Sequence, residues 1–127
     1  MKRLIYILIA AALAMTAGCA AKPERPDVKN ATAVEAMEMM KSESGYIILD
    51  VRTAEEFASG HIPGAVNIPV ETIDGCPEEL SKKDQLIFVY CRSGRRSKTA
   101  AEKLSELGYT NIVEFGGITD WPGEVVK

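Results

Sequence analysis

The sequence predicts a small α/β domain with a mostly parallel sheet. Short, largely apolar runs carry that prediction: Tyr46-Ile47-Ile48-Leu49, Leu86-Ile87-Phe88-Val89-Tyr90 and Asn111-Ile112-Val113-Glu114-Phe115. Their length and β-branched content suit strands buried on both faces. Segments with helical spacing separate them, and strands that alternate with helices argue for a parallel sheet. The 127 residues suffice for one domain, and 46% hydrophobic with 26% charged residues is ordinary for a globular protein. The net charge of −3 lacks the basic excess of a nucleic-acid binder.

The N-terminal stretch has the pattern of a targeting segment. Lys2 and Arg3 precede an apolar run from Leu4 to Met15, and Thr16-Ala17-Gly18-Cys19 follows. A positive start, a short apolar stretch and small residues read as a secretory signal. The run falls short of the about 20 residues of a membrane-spanning helix. Ala17-Gly18-Cys19 resembles the lipobox of bacterial lipoproteins, although Thr16 stands where that motif usually has leucine. The resemblance implies cleavage after residue 18, fatty acylation (palmitate) of Cys19 and a membrane anchor. With Ala20 rather than aspartate next, a Gram-negative cell would place the chain on its outer membrane, facing the periplasm. The expected organisation is a signal peptide at 1–18, a tether at 19–29 with Pro23 and Pro26, and a folded domain at 30–127.

Within the domain, Asn30 or Thr32 is expected to cap a helix reaching about Lys41. Ala33, Met37 and Met40 would form its apolar face, with the methionines as core packing. Ser44-Gly45 ends it. The first apolar run follows and stops at Asp50-Val51-Arg52. Thr53 caps a short helix over 54–58 with Glu55 and Glu56 in its first turn. Ala65-Val66-Asn67-Ile68 reads as a short strand stopped by Pro69. Residues 70–84 read as polar connection with one helical turn at Glu78-Glu79-Leu80. The clearest helix runs from Arg95 to Leu107, with Ala100, Ala101, Leu104 and Leu107 inward and Gly108 as its stop. Gly116-Gly117 then turns the chain.

Cys91 stands where a buried strand stops and that helix is about to begin. A chain turning there leaves backbone N–H groups unpaired and pointing inward, and Gly94 permits the tight turn. Such a loop can cradle an anion. Arg92, Arg95 and Arg96 add positive potential, which suits a small anionic substrate. A thiol in this setting loses its proton more easily than a free cysteine, so Cys91 is a candidate nucleophile. The competing reading is a buried structural cysteine. His61 is the sole histidine and invites a general-base role. Its Gly-His-Ile-Pro-Gly setting favours turn architecture, and a thiol activated by an anion cradle needs no base. Trp121 reads as core packing. Cys76 reads as a spectator thiol, with pairing to Cys91 or receipt of its sulfur as alternatives.

Three stretches together resemble the rhodanese family. They are Asp50-Val51-Arg52 with Glu55-Glu56-Phe57 and Gly60-His61-Ile62-Pro63-Gly64-Ala65-Val66-Asn67-Ile68-Pro69, then Cys91-Arg92-Ser93-Gly94-Arg95-Arg96-Ser97, then Gly116-Gly117 with Trp121-Pro122-Gly123. The resemblance implies a three-layer α/β domain and a sulfurtransferase. Cys91 would take a sulfane sulfur from a small anionic donor such as thiosulfate and pass it from a persulfide to a thiol or cyanide. Arg92, Ser93, Gly94, Arg95, Arg96 and Ser97 would bind the donor's oxyanion end, largely through loop N–H groups, with one or two arginines pointing outward. Ser97 would either donate to the sulfur or stabilise the helix start. Asp50 and Arg52 would support the fold around the loop. No metal or organic cofactor is implied, and a monomer is expected. A phosphatase or arsenate reductase on the same fold is one alternative, although Tyr90 and Ser97 stand where phosphatase-like loops carry His and Arg. A non-catalytic binding module is another, although such domains often lack the cysteine that is present here.

Overall fold

The computed structural model describes residues 25–127. The expected signal peptide, Cys19 and most of the expected tether lie outside the described residues.

Five strands form one sheet: β1 (Val28–Asn30), β2 (Ile47–Asp50), β3 (Val66–Asn67), β4 (Ile87–Cys91) and β5 (Ile112–Gly117). Their order across the sheet is β1-β5-β4-β2-β3, and every strand pairing is parallel. Among the described residues three α-helices accompany them: α1 (Ala33–Ser42), α2 (Ala54–Ala58) and α3 (Arg95–Glu106). The α/β architecture with a parallel sheet is therefore the one expected.

β4 is the central strand, and all five of its residues are buried. Its side chains alternate between two cores, as the period-2 geometry of a strand requires. Ile87, Val89 and Cys91 join Leu49, Val51 and the α3 residues Ala100, Ala101 and Leu104. Phe88 and Tyr90 join Ala33 and Ala36 of α1 with Ile48, Val113 and Phe115 on the other face. The sheet is thus the middle of three layers, and Cys91 points to the α3 side.

The chain places β3 outside β2 and then returns to lay β4 on the other side of β2. That reversal opens a crevice at the carboxyl ends of β2 and β4, where ligands gather in open parallel sheets. Cys91 ends β4 at this crevice. The β4–β5 register also shifts between Val89 and Cys91, a bulge that re-aims the end of the strand.

Three expectations change. The sheet takes in residues expected to lie in the tether: Val28–Asn30 pairs with Ile112, Val113 and Glu114. The inward residues of α1 are Ala33 and Ala36, while Met37 and Met40 are only half-buried. Within 70–84, two short 3-10 turns, Val70–Thr72 and Glu78–Leu80, bury Val70, Ile73 and Leu80 rather than forming a wholly polar connection.

Candidate active site

Helix starts explain why the site falls where it does. The first backbone N–H groups of any helix lack partners within it. At α1, Thr32 and Glu35 form a reciprocal capping box, with N–H to oxygen distances of 3.0 and 2.9 Å. At α2, Thr53 and Glu56 do the same at 3.1 and 3.0 Å. α3 has no such side-chain cap. Gly94 stands at that position with φ of 116°, a conformation that side-chain-bearing residues rarely adopt. Its N–H donates instead to Cys91 Sγ at 3.0 Å.

The sulfur is therefore the acceptor that the start of α3 faces. Burial pushes the Cys91 thiol up; the hydrogen bonds with the Ser97 side chain and with the N–H groups of Ser97, Gly94 and Ser93 outweigh burial and bring it below its ordinary value. Ionisation of the thiol is eased without a neighbouring base. His61 is engaged within its own turn: its Nδ1 lies 2.9 Å from the Phe57 carbonyl, and its ring stacks on Phe57 at 3.7 Å.

β5 closes the loop from behind. A side chain at Gly117 would collide with the Arg92 carbonyl, so only glycine allows the two backbones this close. Glu114, on β5, is 2% exposed. Its Oε2 accepts from the Ser97 hydroxyl at 2.5 Å and from Gly116 N–H at 2.9 Å. Sequence reasoning missed Glu114. The available signal was an acid inside an otherwise apolar strand, a position where burial demands partners.

The arginines divide. Arg92 and Arg95 are exposed at the rim. Arg96 is held by Glu56 of α2 through two parallel bonds, Nη1–Oε1 at 2.7 Å and Nη2–Oε2 at 3.1 Å. Such a fork fixes guanidinium orientation. The hydrogen bonds from Arg96 and from Thr53 N–H pull the Glu56 carboxyl down to about 2. Glu56, followed by Cys91, also raises the Arg96 guanidinium. Ser97 stands at the helix start, where its hydroxyl donates to the Gly94 carbonyl at 3.0 Å. Its Oγ lies 3.6 Å from Cys91 Sγ, and it is buried in the first turn of α3.

Asp50 and Arg52 lie at the same end of the sheet but on its other face. Arg52 Nη2 reaches Asp50 Oδ2 at 2.6 Å and the Gly60 carbonyl at 2.7 Å. Its guanidinium sits 5.8 Å from the centre of the Tyr90 ring. The pair braces the 60–62 turn, which Ile62 N–H also ties to Tyr90 Oη at 3.1 Å. Trp121 packs 5.8 Å from Phe115, as core packing requires. Cys76 is exposed and unpaired in a disulfide, and its sulfur contacts Tyr109 Oη at 3.5 Å and the Leu80 carbonyl at 3.6 Å. Among the described residues no cluster of three or more His, Cys, Asp or Glu is placed to hold a metal ion, and no helix is long and apolar enough to cross a membrane.

A buried cysteine that accepts a backbone N–H at a helix start, at the carboxyl edge of a parallel sheet, defines the site. The chain belongs to the rhodanese-like domain family, whose sequence profile matches residues 32–124. It is 38% identical over 73 residues to thiosulfate sulfurtransferase PspE of Escherichia coli, covering 57% of this chain and 70% of that one. It is 38% identical over 90 residues to adenylyltransferase and sulfurtransferase UBA4 of Meyerozyma guilliermondii, covering 65% of this chain. The chain spans only part of several relatives, 45% of one and 21% of UBA4. A solved rhodanese with anions from E. coli superposes with a TM-score of 0.61 at 36% identity, covering 65% of this chain and 98% of that one.

Proposed function

We propose that this protein is a sulfurtransferase that carries sulfane sulfur as a persulfide on Cys91. Relatives named as sulfurtransferases support sulfur transfer in general. The observation that carries the finer reading is the sulfur itself, buried at the uncapped start of α3 and accepting Gly94 N–H at 3.0 Å.

The chemistry follows from those donors. The Cys91 thiolate attacks the outer sulfur of thiosulfate. A new S–S bond forms, the S–S bond of thiosulfate breaks, and sulfite leaves with the electron pair. Negative charge on the transferred sulfur falls among N–H groups already oriented toward it, which stabilises the transition state without reorganisation. Arg96, fixed by Glu56, and the rim arginines Arg92 and Arg95 attract the sulfonate end. Cyanide or an acceptor thiolate then attacks the terminal sulfur, and Cys91 returns as thiolate. Two half-reactions through a covalent intermediate give ping-pong kinetics.

Initial rates measured over a grid of thiosulfate and cyanide concentrations test this. Parallel double-reciprocal lines, with no activity in Cys91→Ser, are the expected result. Intersecting lines or an active Cys91→Ser would refute the persulfide route, and turnover of phosphate or arsenate esters instead would favour the phosphatase alternative.

We also propose that Cys19 is lipidated and, in a Gram-negative cell, holds the domain on the outer membrane, facing the periplasm. The lipobox-like Ala17-Gly18-Cys19 supports this. Metabolic labelling with palmitate should mark the protein and fail to mark Cys19→Ala. Equal labelling of both would refute the anchor.

A further inference from the structure

The Ser97 hydroxyl has one hydrogen and four acceptors around it. Its Oγ lies 2.5 Å from Glu114 Oε2, 3.0 Å from the Gly94 carbonyl and 3.2 Å from the Gly116 carbonyl. The fourth is Cys91 Sγ, at 3.6 Å. A hydroxyl donates once. The shortest contact is with a carboxylate, and bonds to an ionised acceptor are the strong ones. When Cys91 is a thiol, its S–H can donate to Ser97 Oγ while Ser97 donates to Glu114. A chain of donors then runs from sulfur to carboxylate. When Cys91 is a thiolate, the sulfur and Glu114 compete for the same hydrogen.

We propose that Glu114 is a positioning residue that sets the acidity of Cys91 by drawing the Ser97 hydroxyl hydrogen away from the sulfur. Its purpose rests on the sulfur-transfer reading above. The loop N–H groups favour thiolate, yet a thiol that ionises too readily is a poorer nucleophile, and attack is fastest when its pKa lies near the ambient pH. Glu114 opposes the N–H groups twice, through its charge and through the hydrogen it captures. The two bonds that join them keep its carboxylate within about 6 Å of the sulfur. Its own nearest cation, Lys98 Nζ, is 3.7 Å away on a side chain that is 66% exposed.

Other charged groups surround the loop: Arg92 on the loop itself, Arg95, Arg96 and Lys98 on α3, Glu56 on α2 and Glu71 in the adjacent 3-10 turn. From β2, Asp50 and Arg52 are closed on each other on the opposite face. All of these stay in place in the decisive substitution, Glu114→Gln. That change keeps the side chain's size and its acceptor for Gly116 N–H and removes the charge.

The test is the pH dependence of Cys91 alkylation by iodoacetamide, read on the Cys91 peptide by mass spectrometry. Parent, Glu114→Gln, Ser97→Ala and the double variant are compared. Glu114→Gln should lower the midpoint by about one pH unit, the size of a close charge effect. In the Ser97→Ala background the same exchange should lower it by less than half as much, which marks coupling through the hydroxyl. Ser97→Ala alone should raise the midpoint by less than about half a pH unit, because Glu114 holds most of the hydroxyl's donation, and it decides the matter should Glu114→Gln fail to fold. An unchanged or raised midpoint in Glu114→Gln would overturn the proposal. So would an undiminished shift in the Ser97→Ala background, or a rise of about one pH unit or more in Ser97→Ala. Alkylation needs no sulfur donor, so this result stands or falls apart from persulfide formation, which is measured on the parent protein with thiosulfate.

Discussion

Two strand ends lie side by side in this sheet and are built on opposite plans. Asp50 ends β2 and pairs in register with Tyr90, one residue before Cys91. At the β2 end every strong polar group closes on another. Asp50 Oδ1 accepts from Arg52 N–H at 2.9 Å, both carboxylate oxygens accept from the Arg52 guanidinium, and Asn67 Nδ2 donates to the Asp50 and Arg52 carbonyls. At the β4 end the N–H groups converge on a sulfur, an atom that can react. Buried charges that satisfy each other make a brace. Buried donors gathered on a nucleophile make a site. The same sheet edge supplies both.

Substitutions at the two ends should therefore fail differently. Cys91→Ser gives the largest effect: sulfur loading is lost entirely, while the melting temperature stays close to the parent's. Retained transfer, or a collapse of the fold, would break the contrast. Arg52→Ala should do the reverse. It strands the buried Asp50 carboxylate and should cost about 3–5 kcal/mol of stability in denaturant titration. The rate per folded molecule should persist, and a rate lost with little loss of stability would make Arg52 part of the site.

Arg96→Ala sharpens the boundary between the two plans. Losing a charge-assisted hydrogen bond of about 1.5 kcal/mol to the donor should raise the thiosulfate KM about tenfold, with little change in melting temperature. An unchanged KM would place Arg96 with the brace. The smallest effect is at Glu56, whose carboxyl is held down to about 2 by Arg96 and Thr53. A depressed folded-state pKa stabilises the protein above the ordinary carboxylate range, near 4.5, and that contribution disappears as pH falls toward 2. The pair is partly exposed, so the contribution is at most about 1 kcal/mol. Glu56→Gln should flatten that part of the acid melting curve; an identical slope would show that the pair contributes nothing.

Strong local signals made much of this legible from sequence. β2, β4 and β5 announce themselves as apolar runs, and α2 begins and ends where its threonine cap and five-residue pattern predict. The cysteine loop could be read because a buried strand, a glycine and a helix start occur in immediate succession. β1 could not be read. Its three residues form an edge strand with little burial, and what orders them is backbone pairing to β5 rather than any apolar pattern. Val70 and Ile73 fill the core as isolated residues in a polar stretch, so no periodicity marks them. Ser97 was visible as a loop residue. Glu114 came from a strand seventeen positions later, and only the three-dimensional packing of β5 behind the loop joins them.

The central claim is that the loop directs sulfur to Cys91 and to no other thiol. Peptide-resolved mass spectrometry of the reduced protein, before and after thiosulfate, tests it most directly. The account predicts one added sulfur atom on the Cys91 peptide, removed by cyanide, with the exposed Cys76 unmodified. Sulfur on Cys76 with Cys91 bare, or no added sulfur from fully reduced protein, would contradict it.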